Sequence, residues 1–189
     1  MSNAKFDVTA IGNAIVDVIA QADDAFLDKH KLPKGAMNLI DTETAERLYG
    51  DMGPGKEASG GSAGNTIAGI AALGGRTAYI GKVAKDQLGD VFTHDMRAVG
   101  VKYDTTPLVG GLPTARSLII VTPDAQRTMQ TFLGATTQLG PEDVDMKAIT
   151  SSKVLYLEAY LWEQPRAKEA MRNAAIAAQK AGVKVSFTL

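Results

Sequence analysis

The chain has 189 residues, 45% hydrophobic and 22% charged, with a net charge of −1 at pH 7 and no cysteine. That length suits one domain, or one and a small appendage, and is enough to bury a core. The near-neutral balance gives no electrostatic case for nucleic acid or an anionic membrane, and the missing cysteine removes disulfides and thiolate zinc sites and suits a reducing cytoplasm.

Phe6 to Gly12 reads as a strand ending in glycine, and a second extended stretch runs from Ile15 to Ala20. Asp24 to His30 has the pattern of a short helix, Pro33-Lys34-Gly35 of a turn and Ala36 to Ile40 of a strand. Asp41 caps a predicted helix through Tyr49, because its carboxylate accepts backbone N–H groups two or three residues on. Gly50 to Gly55 reads as a loop. After it, Asn65 to Leu73 carries Ile67, Ile70 and Ala71 on one helical face, and Gly74-Gly75 ends that helix. Thr77 to Val83 is a strand. Asp86 caps a helix with apolar positions Leu88, Val91, Phe92, Met96 and Val99 and Gly100 at its end.

Thr114 to Thr122 and Arg127 to Leu133 flank Pro123-Asp124-Ala125-Gln126 as a hairpin. Val154 to Tyr160 is an apolar strand, Pro165 to Ala181 a long helix with Gly182 past its end, and Val183 to Leu189 a last strand. Strands alternate with helices at βαβ spacing, which predicts an α/β fold with a mostly parallel sheet covered on both faces. The segments near 15–40 and 114–133 break that alternation and are expected to form a small antiparallel sheet projecting as a lid. No run approaches the roughly 18 apolar residues of a membrane span. No charged stretch followed by an apolar one opens the chain, so no secretory leader is expected.

Two glycine motifs fail on context. Gly50 to Glu57 nearly matches a phosphate-binding P-loop, but Glu57 stands where magnesium needs a hydroxyl, and a helix rather than a strand leads in. Gly53 to Ala58 loosely matches a dinucleotide fingerprint and lacks the same leading strand. His30 and His94 are far apart and outside any ligand-spaced motif, so no histidine metal site is expected.

Asn13 and Asp17 follow the first strand, and the C-terminal ends of strands are where α/β sheets bind ligands. A carboxylate there can accept hydrogen bonds from two vicinal hydroxyls, as a ribose or related polyol presents them. The alternative is an exposed hairpin residue. Gly60-Gly61-Ser62-Ala63-Gly64-Asn65 places two glycines, which permit close approach of a ligand, directly before the free N–H groups of a helix start. Asn65 adds an amide. The alternative is a glycine-rich helix entry with no ligand.

Together these residues resemble the ribokinase-like (PfkB) family of carbohydrate and nucleoside kinases, whose first signature is a Gly-Gly followed by an Asn near a helix start. Within it the adenosine kinases are nearest. Their Gly-Asn-x-x-x-Asp opening is matched by Gly12-Asn13 through Asp17, and their Phe-Leu-Asp-Lys segment by Phe26-Leu27-Asp28-Lys29. The lid leucine is matched by Leu39, and the Asp-x-x-Arg turn by Asp124 to Arg127. The resemblance implies a three-layer α/β/α fold with a small β lid. In it Asp17 binds ribose hydroxyls, and Asn13, Gly60, Gly61 and Asn65 complete the sugar site. Leu39, Met129 and Leu133 either wall the base or sugar ring or form lid core. Arg127 either approaches the transferring phosphoryl group, which its fixed fork of donors suits, or is a solvated turn residue.

The family's second signature, Asp-x-x-Gly-Ala-Gly-Asp, supplies the anion hole and the catalytic base, and it does not occur in these 189 residues. The expectation is therefore the substrate-binding half of a cytoplasmic kinase that phosphorylates the 5′-hydroxyl of a purine nucleoside with ATP and Mg²⁺. The ATP site and base would belong to a further C-terminal part, so the 189 residues alone would be inactive. A sugar kinase of the same family is the second reading, and a non-catalytic nucleoside- or sugar-binding module the third. A homodimer through the lid is compatible with each.

Overall fold

The computed structural model describes residues 4–188. The chain begins with β1 (Phe6–Ile11), β2 (Ile15–Gln21), α1 (Asp24–His30), β3 (Met37–Leu39) and α2 (Thr42–Asp51). It continues through β4 (Lys56–Gly60), α3 (Ser62–Ala72), β5 (Thr77–Ile80), α4 (Gln87–Ala98) and β6 (Lys102–Tyr103). The hairpin β7 (Ala115–Val121) and β8 (Arg127–Phe132) precedes α5 (Met146–Thr150), β9 (Ser152–Glu158), α6 (Pro165–Lys180) and β10 (Lys184–Thr188). Leu189, which the sequence assigns to the last strand, lies outside the described residues. Asp41 and Asp86 cap α2 and α4 as expected, accepting from Thr44 N and Gly89 N at 2.8 Å each.

The strands form two five-stranded sheets. The first has the order β10-β9-β1-β5-β6 and is parallel throughout. Both of its faces are covered, because alternate side chains of a strand point to opposite sides. Ala10 and Tyr79 join Ala63, Ile67, Phe92 and Met96 on the side of α3 and α4. Ile11 and Ile80 join Leu155, Leu157, Met171 and Ala174 on the side of α6. This is the three-layer arrangement, with the expected strand residues at its centre.

The second sheet has the order β3-β8-β7-β2-β4. It contains the two irregular segments, but it is mixed rather than antiparallel. The β7–β8 hairpin and the β2–β4 pair are antiparallel, while β2–β7 and β3–β8 are parallel. The reason is connection length: β2 and β7 are separated by the long segment from α1 through β6, and only a long crossover lets two strands run the same way. One face is buried through Val16, Val18 and Leu118 against Leu48 of α2, in the same core as Phe92 and Met96 of α4. The opposite face is open and carries Ile19, Met37 and Leu39 at 39%, 53% and 64% exposure.

Several local expectations change. Gly50 and Asp51 belong to the last turn of α2, and β4 begins directly after the Gly53-Pro54-Gly55 turn. Lys56-Glu57-Ala58-Ser59-Gly60 has little strand propensity and is a strand because β2 pairs with it, which is tertiary context overriding composition. Val99 is 44% exposed rather than part of the α4 core face, because the helix has ended and residue 99 is its cap. No helix among the described residues is long and apolar enough to cross a membrane.

Candidate functional site

The turn Gly12-Asn13-Ala14 joins the first sheet to the second. Glu158, at the C-terminal end of β9 beside β1, organises it. Its carboxylate accepts from Asn13 N at 3.3 Å, from Asn13 Nδ2 at 3.4 Å and from Ala63 N at 3.1 Å. Thr136 Oγ1 donates to Asn13 Oδ1 at 3.2 Å and accepts from Ala14 N at 3.3 Å. Ala63 lies in the first turn of α3, where free N–H groups and the helix dipole favour a negative charge. Glu158 is 1% exposed, and burial raises its carboxyl above the ordinary value, with the bonds from Ala63 and Asn13 partly offsetting that. The Tyr79 hydroxyl is pushed well up, first by burial and then by Glu158.

Asn13, which the resemblance places in the sugar site, is held in this network. It is 2% exposed, with one amide bond to Glu158 and one from Thr136. It positions the turn, and a second Nδ2 proton is left over from these bonds. Glu158 is the residue that sequence reasoning missed. Its signal was an acidic side chain directly after the apolar run Val154 to Leu157, at a strand's C-terminal end.

Asp17 is different. It lies on the open face of the second sheet, paired in register with Ala58 of β4 and Ser117 of β7. Gly60 adjoins it so closely that a Cβ there would sit 2.5 Å from the carboxylate. Gly61 has φ 85° and ψ 145°, a backbone state that side chains avoid, and a Cβ there would sit 2.5 Å from the Asn13 carbonyl. Both glycines are thus required by close approach of the chain's own atoms, where the sequence reading has a ligand approach. Burial raises the Asp17 carboxyl, and no hydrogen bond among the described residues offsets this. A half-buried carboxylate without a partner carries a desolvation cost that a hydroxyl-rich ligand relieves.

The remaining predicted residues fall unevenly around Asp17. Leu39 is on the same face two strands beyond Ser117, and Met129 is one row further along that face. Leu133 follows β8, half-buried, at the start of the turn Gly134–Gln138. Asn65 is exposed on the first turn of α3, with only its backbone N–H bonded, to Gly61 O at 2.8 Å. Arg127 is exposed at the hairpin end of β8. It sits four residues along the strand from Thr131, about 14 Å at ordinary strand rise. Asp124 of the same hairpin pairs with Lys34 at 2.8 Å.

No group of three or more His, Asp or Glu among the described residues is arranged to hold a metal ion. The glycine-rich stretch from Gly50 opens on the C-terminal end of α2, where backbone carbonyls rather than N–H groups are free and a phosphate is disfavoured.

The chain resembles known proteins over nearly its whole length. The crystal structure of adenosine kinase from Sinorhizobium meliloti is 60% identical with a TM-score of 0.90, covering 98% of this chain and 57% of that one. A probable sugar kinase protein from Rhizobium etli CFN 42 is 57% identical, also with a TM-score of 0.90, covering 98% and 56%. Among curated proteins, 5-dehydro-2-deoxygluconokinase of Lacticaseibacillus casei is 31% identical over 98% of this chain and 51% of its own length. The chain thus spans about half the length of the relatives it matches. The model of the pfkB family carbohydrate kinases matches residues 36–188, and with the three-layer sheet and the paired Asp17 and Gly60-Gly61 elements this chain belongs to the pfkB family.

Proposed function

We propose that this chain is the substrate-binding half of an ATP-dependent kinase for a small polyol-bearing molecule, and that the substrate is a purine nucleoside phosphorylated on its 5′-hydroxyl. The observation that carries this reading is the Asp17 carboxylate, half-buried, without an internal partner and facing glycine rather than a side chain at position 60. Two vicinal ribose hydroxyls donating to it would form charge-assisted bonds worth about 1.5–3 kcal/mol each. The ribose is then held by its 2′- and 3′-hydroxyls, which leaves the 5′-hydroxyl free to react.

The second sheet acts in this reading as a lid. Its exposed Leu39, with Met129 and Leu133, supplies an apolar wall. A base covering roughly 100 Å² of such surface would gain about 2.5 kcal/mol, and a bare sugar would leave the wall wet. The similarity to an adenosine kinase at 60% identity supports a nucleoside. Family membership implies ATP and a divalent metal. Their chemistry, charge neutralisation and delivery of the phosphoryl group, is assigned to no residue described above. The chain's own residues bind, orient and shield the acceptor.

A sugar kinase is the second reading. It is favoured by the curated relatives, which include 5-dehydro-2-deoxygluconokinase and probable fructokinase-6 of Arabidopsis thaliana. The experiment compares adenosine, ribose and fructose as acceptors for the full-length protein with ATP and magnesium. A higher kcat/KM for adenosine supports the nucleoside reading. Equal or higher values for the sugars overturn it in favour of the second.

A further inference from the structure

The open face of the second sheet is chemically striped, and the stripe follows from strand register. One row of paired residues reads Ala58, Asp17, Ser117, Thr131, Leu39 across β4, β2, β7, β8 and β3. The next row on the same face reads Lys56, Ile19, Ile119, Met129, Met37. The first row is polar at its centre, and the second is apolar except at its edge. Strand residues of one face recur at every second position, so Ser117 and Thr131 share the surface of Asp17 and not the buried face behind it.

The two hydroxyls lie 3.1 Å apart and are hydrogen-bonded to each other. Ser117 is 6% and Thr131 8% exposed, so they form a floor rather than a rim. Each hydroxyl has one proton and two acceptor lone pairs. Their mutual bond uses one proton and leaves the other without an acceptor among the described residues. In register Ser117 is one strand and Thr131 two strands from Asp17, about 5 and 10 Å at ordinary strand spacing. A sugar anchored by two hydroxyls at Asp17 can reach Ser117 but does not extend to Thr131. The base of a nucleoside anchored in the same way does, and its edge offers both ring-nitrogen acceptors and an amine donor. A hydroxyl pair answers both, because either oxygen can donate while the other accepts.

We infer that Ser117 and Thr131 are specificity-determining residues that read the hydrogen-bonding edge of a nucleobase whose ribose is held by Asp17. This rests on the nucleoside reading above. The apolar second row, with Met129 and Ile119, packs against the part of the base that makes no hydrogen bonds.

The test uses the full-length enzyme with two acceptors. One is adenosine. The other is benzimidazole riboside, which keeps the ribose and the bicyclic shape but lacks the pyrimidine-ring nitrogens and the amine. The variants are Ser117→Ala, Thr131→Val and the pair together. Valine keeps the branched shape that suits a strand, and Thr131→Ser restores a hydroxyl as a rescue control. The expected result is an adenosine KM about tenfold higher in the double variant, as for loss of two neutral hydrogen bonds. Its kcat should be near wild type, its benzimidazole riboside KM within about twofold, and Thr131→Ser should recover. Equal effects on both nucleosides, or none on either, would overturn the inference while leaving the nucleoside reading in place. A wild-type enzyme that phosphorylates neither nucleoside would overturn the reading on which it rests. Should the double variant fail to fold, the Thr131→Val and Thr131→Ser pair reads the same ratio.

Discussion

Asn13 and Asp17 stand four positions apart on one connection, and their surroundings are opposite. Asn13 lies where the first sheet ends, and its polar atoms are taken up by Glu158 and Thr136. Asp17 lies where the second sheet opens, and no hydrogen bond among the described residues answers its charge. A closed polar network is stiff and holds geometry, while an open carboxylate is costly until a ligand arrives. The comparison separates a residue held in the framework of the turn from one left open on the sheet.

The largest expected effect breaks the binding side. Asp17→Ala in the full-length protein should remove two charge-assisted bonds, about 3–6 kcal/mol, and so most ligand affinity, while the melting temperature does not fall. Calorimetry and a thermal melt read the two arms. Affinity within a few-fold of wild type would show that Asp17 is only a sheet residue. Glu158→Ala strikes the framework side. It strands the N–H groups of Asn13 and Ala63, and with some relief from an ionised buried group the net loss should be about 2–4 kcal/mol, measured by urea denaturation. Glu158→Gln, which keeps an acceptor, should lose clearly less; if the two variants are alike, the acceptor role is wrong.

Gly61→Ala lies between the two regions. It forces a side chain into a strained backbone state, at about 1–3 kcal/mol, and against the Asn13 carbonyl, so stability and affinity should fall together. Unchanged values for both would mean that the turn relaxes freely. The pH dependence sharpens the comparison further. Burial raises the folded Asp17 pKa above the ordinary aspartate value of 3.8, so its contribution to stability is full below that value and is lost as pH rises through the raised one. Affinity runs the other way, because the hydroxyls need the ionised form. Substrate affinity should therefore fall as pH drops through a midpoint above 3.8, and Asp17→Asn should remove that limb. A limb that persists in Asp17→Asn belongs to another group, with Glu158 the first candidate. The smallest effect on stability is expected at Leu39, which is 64% exposed. Leu39→Ser should change stability by no more than about 0.5 kcal/mol yet raise the nucleoside KM several-fold, and an unchanged KM would place Leu39 outside the pocket.

Much of the main sheet was legible because its signals are local. Phe6 to Ile11 and Val154 to Leu157 are apolar runs long enough for buried parallel strands, and Asp41 and Asp86 announce their helices by the capping carboxylate. The need for glycine at 60 and 61 was legible too, but not that the close neighbours are Asp17 and the Asn13 carbonyl. The site's framework was not. Glu158 meets Asn13 across 145 positions, and no spacing rule connects residues that become neighbours only through strand order. Strand β4 was missed for the same reason.

The amino-acid sequence by itself determined the element types, the parallel α/β core and the identity of the residues that bring polar chemistry to one turn. Those follow from periodicity, caps and glycine sterics, each of which acts over a few residues. Only the tertiary structure decided that the second sheet is mixed, that Asn13 faces inward and Asp17 outward, and that Ser117 and Thr131 share a row with Asp17. The physical reason is register. Which side chains share a face is set by the pairing of strands distant in sequence, and a shift of one residue would exchange the open face for the buried one.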